Sequence, residues 1–144
     1  MVGRAGQRAV VVRAAAEAEA ALRLAAGRGL TLLSAPGAAG FLGASGWRAL
    51  VARAASAVPG APFDDILCCG AAPGYVLGAL RAGCRILVLD SAHPAFAAVE
   101  AACAEFGATL LAERPPALDL HGVNLRKPKG EALLARWLDE APMT

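Results

Sequence analysis

Residues 66–89 read ILCCGAAPGYVLGALRAGCRILVL. An uncharged run, Ile66-Leu67-Cys68-Cys69, passes into the turn Gly70-Ala71-Ala72-Pro73-Gly74. Pro73 suits the first turn of a helix, where its missing N–H leaves nothing unsatisfied. Val76, Leu77 and Leu80 then recur at helical spacing, with their stripe expected to face inward. Gly83 closes the helix, and a second apolar run follows, Arg85 to Leu89. Uninterrupted apolar runs of this length suit strands buried on both faces. The segment therefore predicts one strand–helix–strand unit with parallel strands and a right-handed crossover.

The same alternation extends in both directions. Ala9 to Val12, Leu30 to Leu33 and Thr109 to Leu111 are further short apolar runs. Between them, Ala14 to Ala26 is rich in helix formers, with Ala15, Ala18, Leu22 and Ala25 on one face. Trp47 to Val58 carries Trp47, Leu50, Val51, Ala54 and Val58 on one stripe, and Pro59-Gly60 stops it. Pro94 opens another helix, whose buried side is expected to hold Phe96, Val99, Cys103 and Phe106. The pattern βαβαβαβαβ predicts an α/β domain of about five mostly parallel strands in a three-layer open sheet. A half-barrel-like βα repeat is the alternative, since a complete eight-fold barrel needs roughly 200 residues or more.

The texture changes after Glu113, dividing the chain into an α/β core over 1–113 and a tail over 114–144. Arg114-Pro115-Pro116 breaks the alternation, and the stretch through Gly130 reads as an irregular connection. A last helix, Glu131 to Glu140, has an apolar stripe of Leu133, Leu134, Trp137 and Leu138. That stripe must dock, either on its own domain or on a second copy in a homodimer.

Composition sets the outer limits. The 144 residues are 57 % hydrophobic and only 5 % aromatic, and about a quarter are alanine. Disorder is excluded at that apolar content. The net charge of +2 argues for neither nucleic acid nor an anionic membrane. Seven arginines precede Gly60, but they fall at helix spacing without interleaved aromatics, as a solvated face does. The longest uncharged stretch, Gly29 to Trp47, contains five glycines and Pro36, so no transmembrane span is expected. The N-terminal apolar segment is interrupted by charges and predicts no signal peptide; a cytoplasmic location follows. Cys68, Cys69, Cys84 and Cys103 show no metal-ligand spacing and read as structural thiols. No metal and no cofactor is implied.

In open α/β sheets, ligands sit beyond the carboxyl ends of the strands, which points to the loops that open with Arg13, Ser34, Gly70, Asp90 and Glu113. The connection Ser34 to Gly46 carries glycine at 37, 40, 43 and 46. Glycine permits positive φ and close backbone approach, both useful for wrapping an anion in N–H groups. Arg13, Ser34, Gly37, Gly40 and Gly70 are accordingly the candidate binding residues for a small anionic ligand. A Cys69 nucleophile at a helix start would need a base that the neighbouring sequence lacks. Asp90 and His93 are the weaker candidates for acid–base groups, because Asp90 or Ser91 equally serves to cap the next helix.

Three families bear comparison. The strand count resembles a response-regulator receiver, yet the positions of its acids, phospho-acceptor and lysine hold Arg13, Cys69 and Glu113 or Arg114. The turn Val12 to Ala16 lacks the glycines of the dinucleotide-binding fold. The segments LTLLSAPGAAG (30–40), CCGAAPGYVLGALRAG (68–83) and RPPALDL (114–120) together resemble a group of small bacterial α/β proteins. That resemblance covers most of the chain, implies an α/β fold and brings no named activity. The expected function is binding of a small anionic ligand or a protein partner without catalysis. An enzyme acting on a phosphorylated or carboxylated metabolite, and a structural oligomerisation module, are the alternatives.

Overall fold

A computed structural model describes residues 7–140. In chain order its elements are β1 (Arg8–Val11), α1 (Ala15–Ala25), β2 (Leu30–Leu33), α2 (Ala38–Phe41), α3 (Gly43–Ala57) and β3 (Phe63–Cys68). There follow α4 (Gly74–Arg81), β4 (Ile86–Val88), α5 (Phe96–Glu105), β5 (Thr109–Leu111), β6 (Ala117–Asp119) and α6 (Pro128–Asp139). The strands form one sheet in the order β5-β4-β3-β2-β1-β6, and every pairing is parallel. The α/β class and the parallel sheet agree with the sequence. No helix among the described residues is long and apolar enough to cross a membrane.

Three details correct the sequence reading. First, the sheet has six strands, not about five. β6 lies in the tail that looked irregular, pairing Ala117, Leu118 and Asp119 with Ala9, Val10 and Val11. Three residues with a charge among them are too few to reveal a period. Second, the stretch 34–46 is largely helical. Gly37 and Gly43 take positive φ ahead of or at the start of α2 and α3, at 67° and 81°, whereas Gly40 and Gly46 lie inside the helices. Third, β3 begins at Phe63 and includes two carboxylates. Alternation sends them to opposite faces. Asp65 accepts hydrogen bonds from Arg48 (2.6 Å) and Trp47 Nε1 (3.3 Å) on α3, and Asp64 accepts one from the Gln7 amide (3.2 Å). Leu77 and Phe106, expected inside, are exposed.

The two faces of the sheet are covered differently. Val10, Val12, Leu30, Leu32, Leu67, Leu87 and Leu110 join residues of the helices in one large core around Trp47. The other face holds a small cluster of Val11, Leu33, Ile66, Cys68 and Val88, flanked by Ile86, Leu111 and Ala117, with no helix residue among them. One geometric constraint explains this. Residues 112–116 alone join β5 to β6, which occupy opposite edges. Fully extended, such a link reaches roughly 20 Å. Five spacings across a flat sheet come to roughly 24 Å, and the link must also descend the length of a strand. The sheet therefore curls, and the link crosses its concave face as a strap. The third layer is this strap rather than a second set of helices.

The C-terminal helix docks within its own chain. Leu134 and Leu138 enter the large core, and Trp137 Nε1 donates to the carbonyl of Ala9 at 2.8 Å. The Arg8 guanidinium lies 3.5 Å from the Trp137 ring centroid. Of the stripe Leu133, Leu134, Trp137 and Leu138, only Leu133 is exposed, so these side chains are occupied internally rather than offered to a second copy. The outer ends of the expected core and tail, residues 1–6 and 141–144, lie outside the described residues. Leu134→Ala is expected to cost about 2–5 kcal/mol in urea unfolding through lost burial and a residual cavity. Leu133→Ala should stay within about 0.5 kcal/mol. The reverse ranking would contradict this docking of α6.

Candidate functional site

The carboxyl ends of β2, β3 and β4 meet beside the strap. Past β2, Ser34 is completely buried. Its N–H donates to the Ile66 carbonyl at 3.0 Å. Its Oγ donates to the Ala35 carbonyl at 3.0 Å and accepts the Cys68 N–H at 2.9 Å. Past β3, the Cys69 N–H donates to Val88 at 2.8 Å, and the Gly70 carbonyl accepts the Asp90 N–H at 2.8 Å. These bonds continue the ladder beyond the strands and hold two glycine turns side by side. Gly70 has a φ of 61°, and a Cβ placed on it would lie 3.6 Å from the Gly37 Cα. Both positions favour glycine for its backbone freedom.

A cavity of about 370 Å³ opens at this rim, lined by Pro36, Gly37, Cys68, Gly70, Ala71, Val88, Asp90, Ala112, Glu113 and Arg114. The N–H groups of Gly37, Gly70 and Ala71 take no hydrogen-bond partner among the described residues. Such groups suit an oxygen anion, which backbone concavities bind through oriented N–H dipoles. Arg114 adds a cation from the strap, its Nη1 anchored on the Ser34 carbonyl at 2.9 Å. Asp90 and Glu113 bring two carboxylates to the same cavity.

The structure gathers some of the sequence candidates and separates others. Gly37, Gly70 and Asp90 line the cavity. Ser34 is not in the lining, but its carbonyl holds Arg114 in place. Gly40 lies within α2, under the ring of Tyr75. His93 is not in the lining either; its Nδ1 accepts the Ala95 N–H at 3.0 Å, which orders the turn into α5. Asp90 does similar work through Oδ1, accepting the Ala92 N–H at 3.0 Å. Arg13 sits at the β1–β6 end of the rim, paired with Asp119. The hydrogen bond between them raises the Arg13 pKa and holds the Asp119 carboxyl below its ordinary value. The Arg13 N–H also donates to Glu17 at 2.7 Å. Arg114 is the residue that sequence reasoning missed. Its signal was its place just after Glu113 at the exit of β5, ahead of two stiffening prolines.

The four thiols are buried. Burial in apolar surroundings pushes Cys69 up to about 12, with smaller contributions from Cys68, Cys84 and Cys103. Burial likewise raises Cys84 and Cys103. A thiol kept neutral is a poor nucleophile. Among the described residues no group of three or more His, Cys, Asp or Glu is arranged to hold a metal ion.

The thiol shifts fix an alkaline limb of stability. The unfolded state releases its thiol protons near pH 9 while the folded state retains that of Cys69 toward 12. Between those values the folded state binds more protons, so stability falls as pH rises. A urea midpoint that is level up to about pH 8.5 and declines above it is expected. Cys69→Ala should flatten the decline. A midpoint that rises over this window would contradict the burial of the thiol.

No protein-family model and no curated protein matches the chain. No activity therefore comes to it by resemblance.

Proposed function

We propose that the protein is a binding module for a small polar metabolite whose phosphate or carboxylate sits in the rim cavity. The observation that carries this reading is one cavity lined by Gly37, Gly70 and Ala71, whose backbone N–H groups take no hydrogen-bond partner among the described residues. Arg114 reinforces them with charge. Asp90 and Glu113 select against a bare anion, because two carboxylates lining one cavity repel it. They favour a ligand that also carries hydroxyl or amine donors.

The cavity supports binding better than catalysis. A nucleophile needs a base within hydrogen-bond reach. Cys68, the one thiol in the lining, is almost fully buried. His93 uses Nδ1 on the backbone and lies outside the lining. Asp90 and Glu113 are hydrogen-bond acceptors in this reading, not an acid–base pair.

A thermal-shift panel of phosphorylated and carboxylated metabolites tests the reading. A true ligand at a hundredfold excess over its Kd adds about 2.7 kcal/mol, or roughly 5–10 °C in Tm for a chain of this size. Arg114→Gln should abolish most of that shift. A folded protein whose Tm answers to no phosphate or carboxylate in the panel would remove the proposal.

A further inference from the structure

We infer that the ligand of the rim cavity is a small aliphatic α-amino acid, held by its carboxylate on the N–H groups and Arg114 and by its ammonium on Asp90 and Glu113; the inference rests on the cavity reading above. It starts from charges that nothing in the described residues neutralises. Arg114 donates to a neutral carbonyl, that of Ser34. Asp90 accepts a neutral N–H, that of Ala92. Glu113 takes no hydrogen bond and no ion pair among the described residues. Two carboxylates against one guanidinium leave the lining with a negative charge in excess. A phosphate adds to that excess. A hydroxyl donates to a carboxylate without cancelling its charge. An ammonium donates up to three hydrogen bonds and brings the opposite charge as well.

The groups for the two ends of such a ligand adjoin. A Cβ on Gly70 would stand 3.6 Å from the Gly37 Cα, and the Gly70 carbonyl accepts the Asp90 N–H at 2.8 Å. The backbones that offer N–H donors therefore touch the backbone that carries a carboxylate. The exits of β4 and β5 are joined in turn, with the Leu89 N–H donating to the Leu111 carbonyl at 3.1 Å just ahead of Asp90 and Glu113. An α-amino acid carries its carboxylate and its ammonium on the same carbon, so neighbouring groups of opposite preference suit it. The rest of the lining includes Pro36, Cys68, Val88 and Ala112, and no aromatic side chain is among the lining residues. At about 370 Å³ the cavity lies near the small end of metabolite sites. That leaves room for a short aliphatic side chain.

Titration calorimetry on the full chain tests this with alanine, valine and leucine, the 2-hydroxy acid analogue of each, and inorganic phosphate. The best amino acid is expected to bind roughly tenfold or more tightly than its 2-hydroxy analogue, the range that hydrogen bonds between charged groups supply. The double variant Asp90→Asn, Glu113→Gln keeps the shapes and the acceptor for Ala92. It should erase that preference without weakening the hydroxy acid, with the fold verified by circular dichroism. Arg114→Gln should weaken the amino acid and the hydroxy acid alike. Equal affinities for the two acids in the unaltered protein, or a preference that survives in the double variant, would overturn the amino-acid inference and leave the cavity reading standing. Binding of phosphate or a hydroxy acid with none of the three amino acids would do the same. Silence from every probe would overturn both.

Discussion

The short link between β5 and β6 governs this molecule. Residues 112–116 must join opposite edges of a six-stranded sheet, and an extended chain of that length cannot cross a flat one. Curvature follows, and with it the unequal faces. The convex face takes the helices and the large side chains, Trp47 among them. The concave face has room only for a small aliphatic cluster and the strap itself. Pro115 and Pro116 stiffen the crossing, and Arg114 pins it to the Ser34 carbonyl.

The strap also makes the candidate site. Without it, the carboxyl ends of β2, β3 and β4 would present two glycine turns to open solvent. With it, Glu113 and Arg114 join Gly37, Gly70 and Ala71 in lining one cavity. In the reading proposed above the recognition groups are N–H donors, which demand little of the side chains. This suits a chain so rich in alanine and glycine. The second cavity on the concave face, about 330 Å³ between the strap and the amino ends of β1 and β2, shares Glu113 and Arg114 as a common wall.

The charges on the rim divide into two groups with different roles. At the β1–β6 end, Arg13 and Asp119 satisfy each other, and Asp119 also accepts the His121 N–H at 2.9 Å. Such a half-exposed pair orders the edge more than it stabilises the fold. At the β3–β5 end, Arg114, Asp90 and Glu113 line the same cavity, with no ion pair among the three. On the convex face, Asp65 binds Arg48 and the Trp47 indole together, so the longest helix is fixed to the central strand by charge as well as burial.

Sequence by itself determined the class of the fold and much of its element order. Leu30 to Leu33 and Thr109 to Leu111 are strands at the positions their apolar runs indicate, because burial on both faces removes polar residues locally. It also indicated the carboxyl rim, and Gly37, Gly70 and Asp90 within it, because strand ends and glycine turns are local features. Tertiary structure alone decided the rest. β6 has no periodicity of its own and becomes a strand by pairing with β1. Arg13 pairs with Asp119, and Gly40 lies against Tyr75, because those partners come from distant parts of the chain. The curl of the sheet depends on which strands form its edges, a property of strand order that no local pattern encodes.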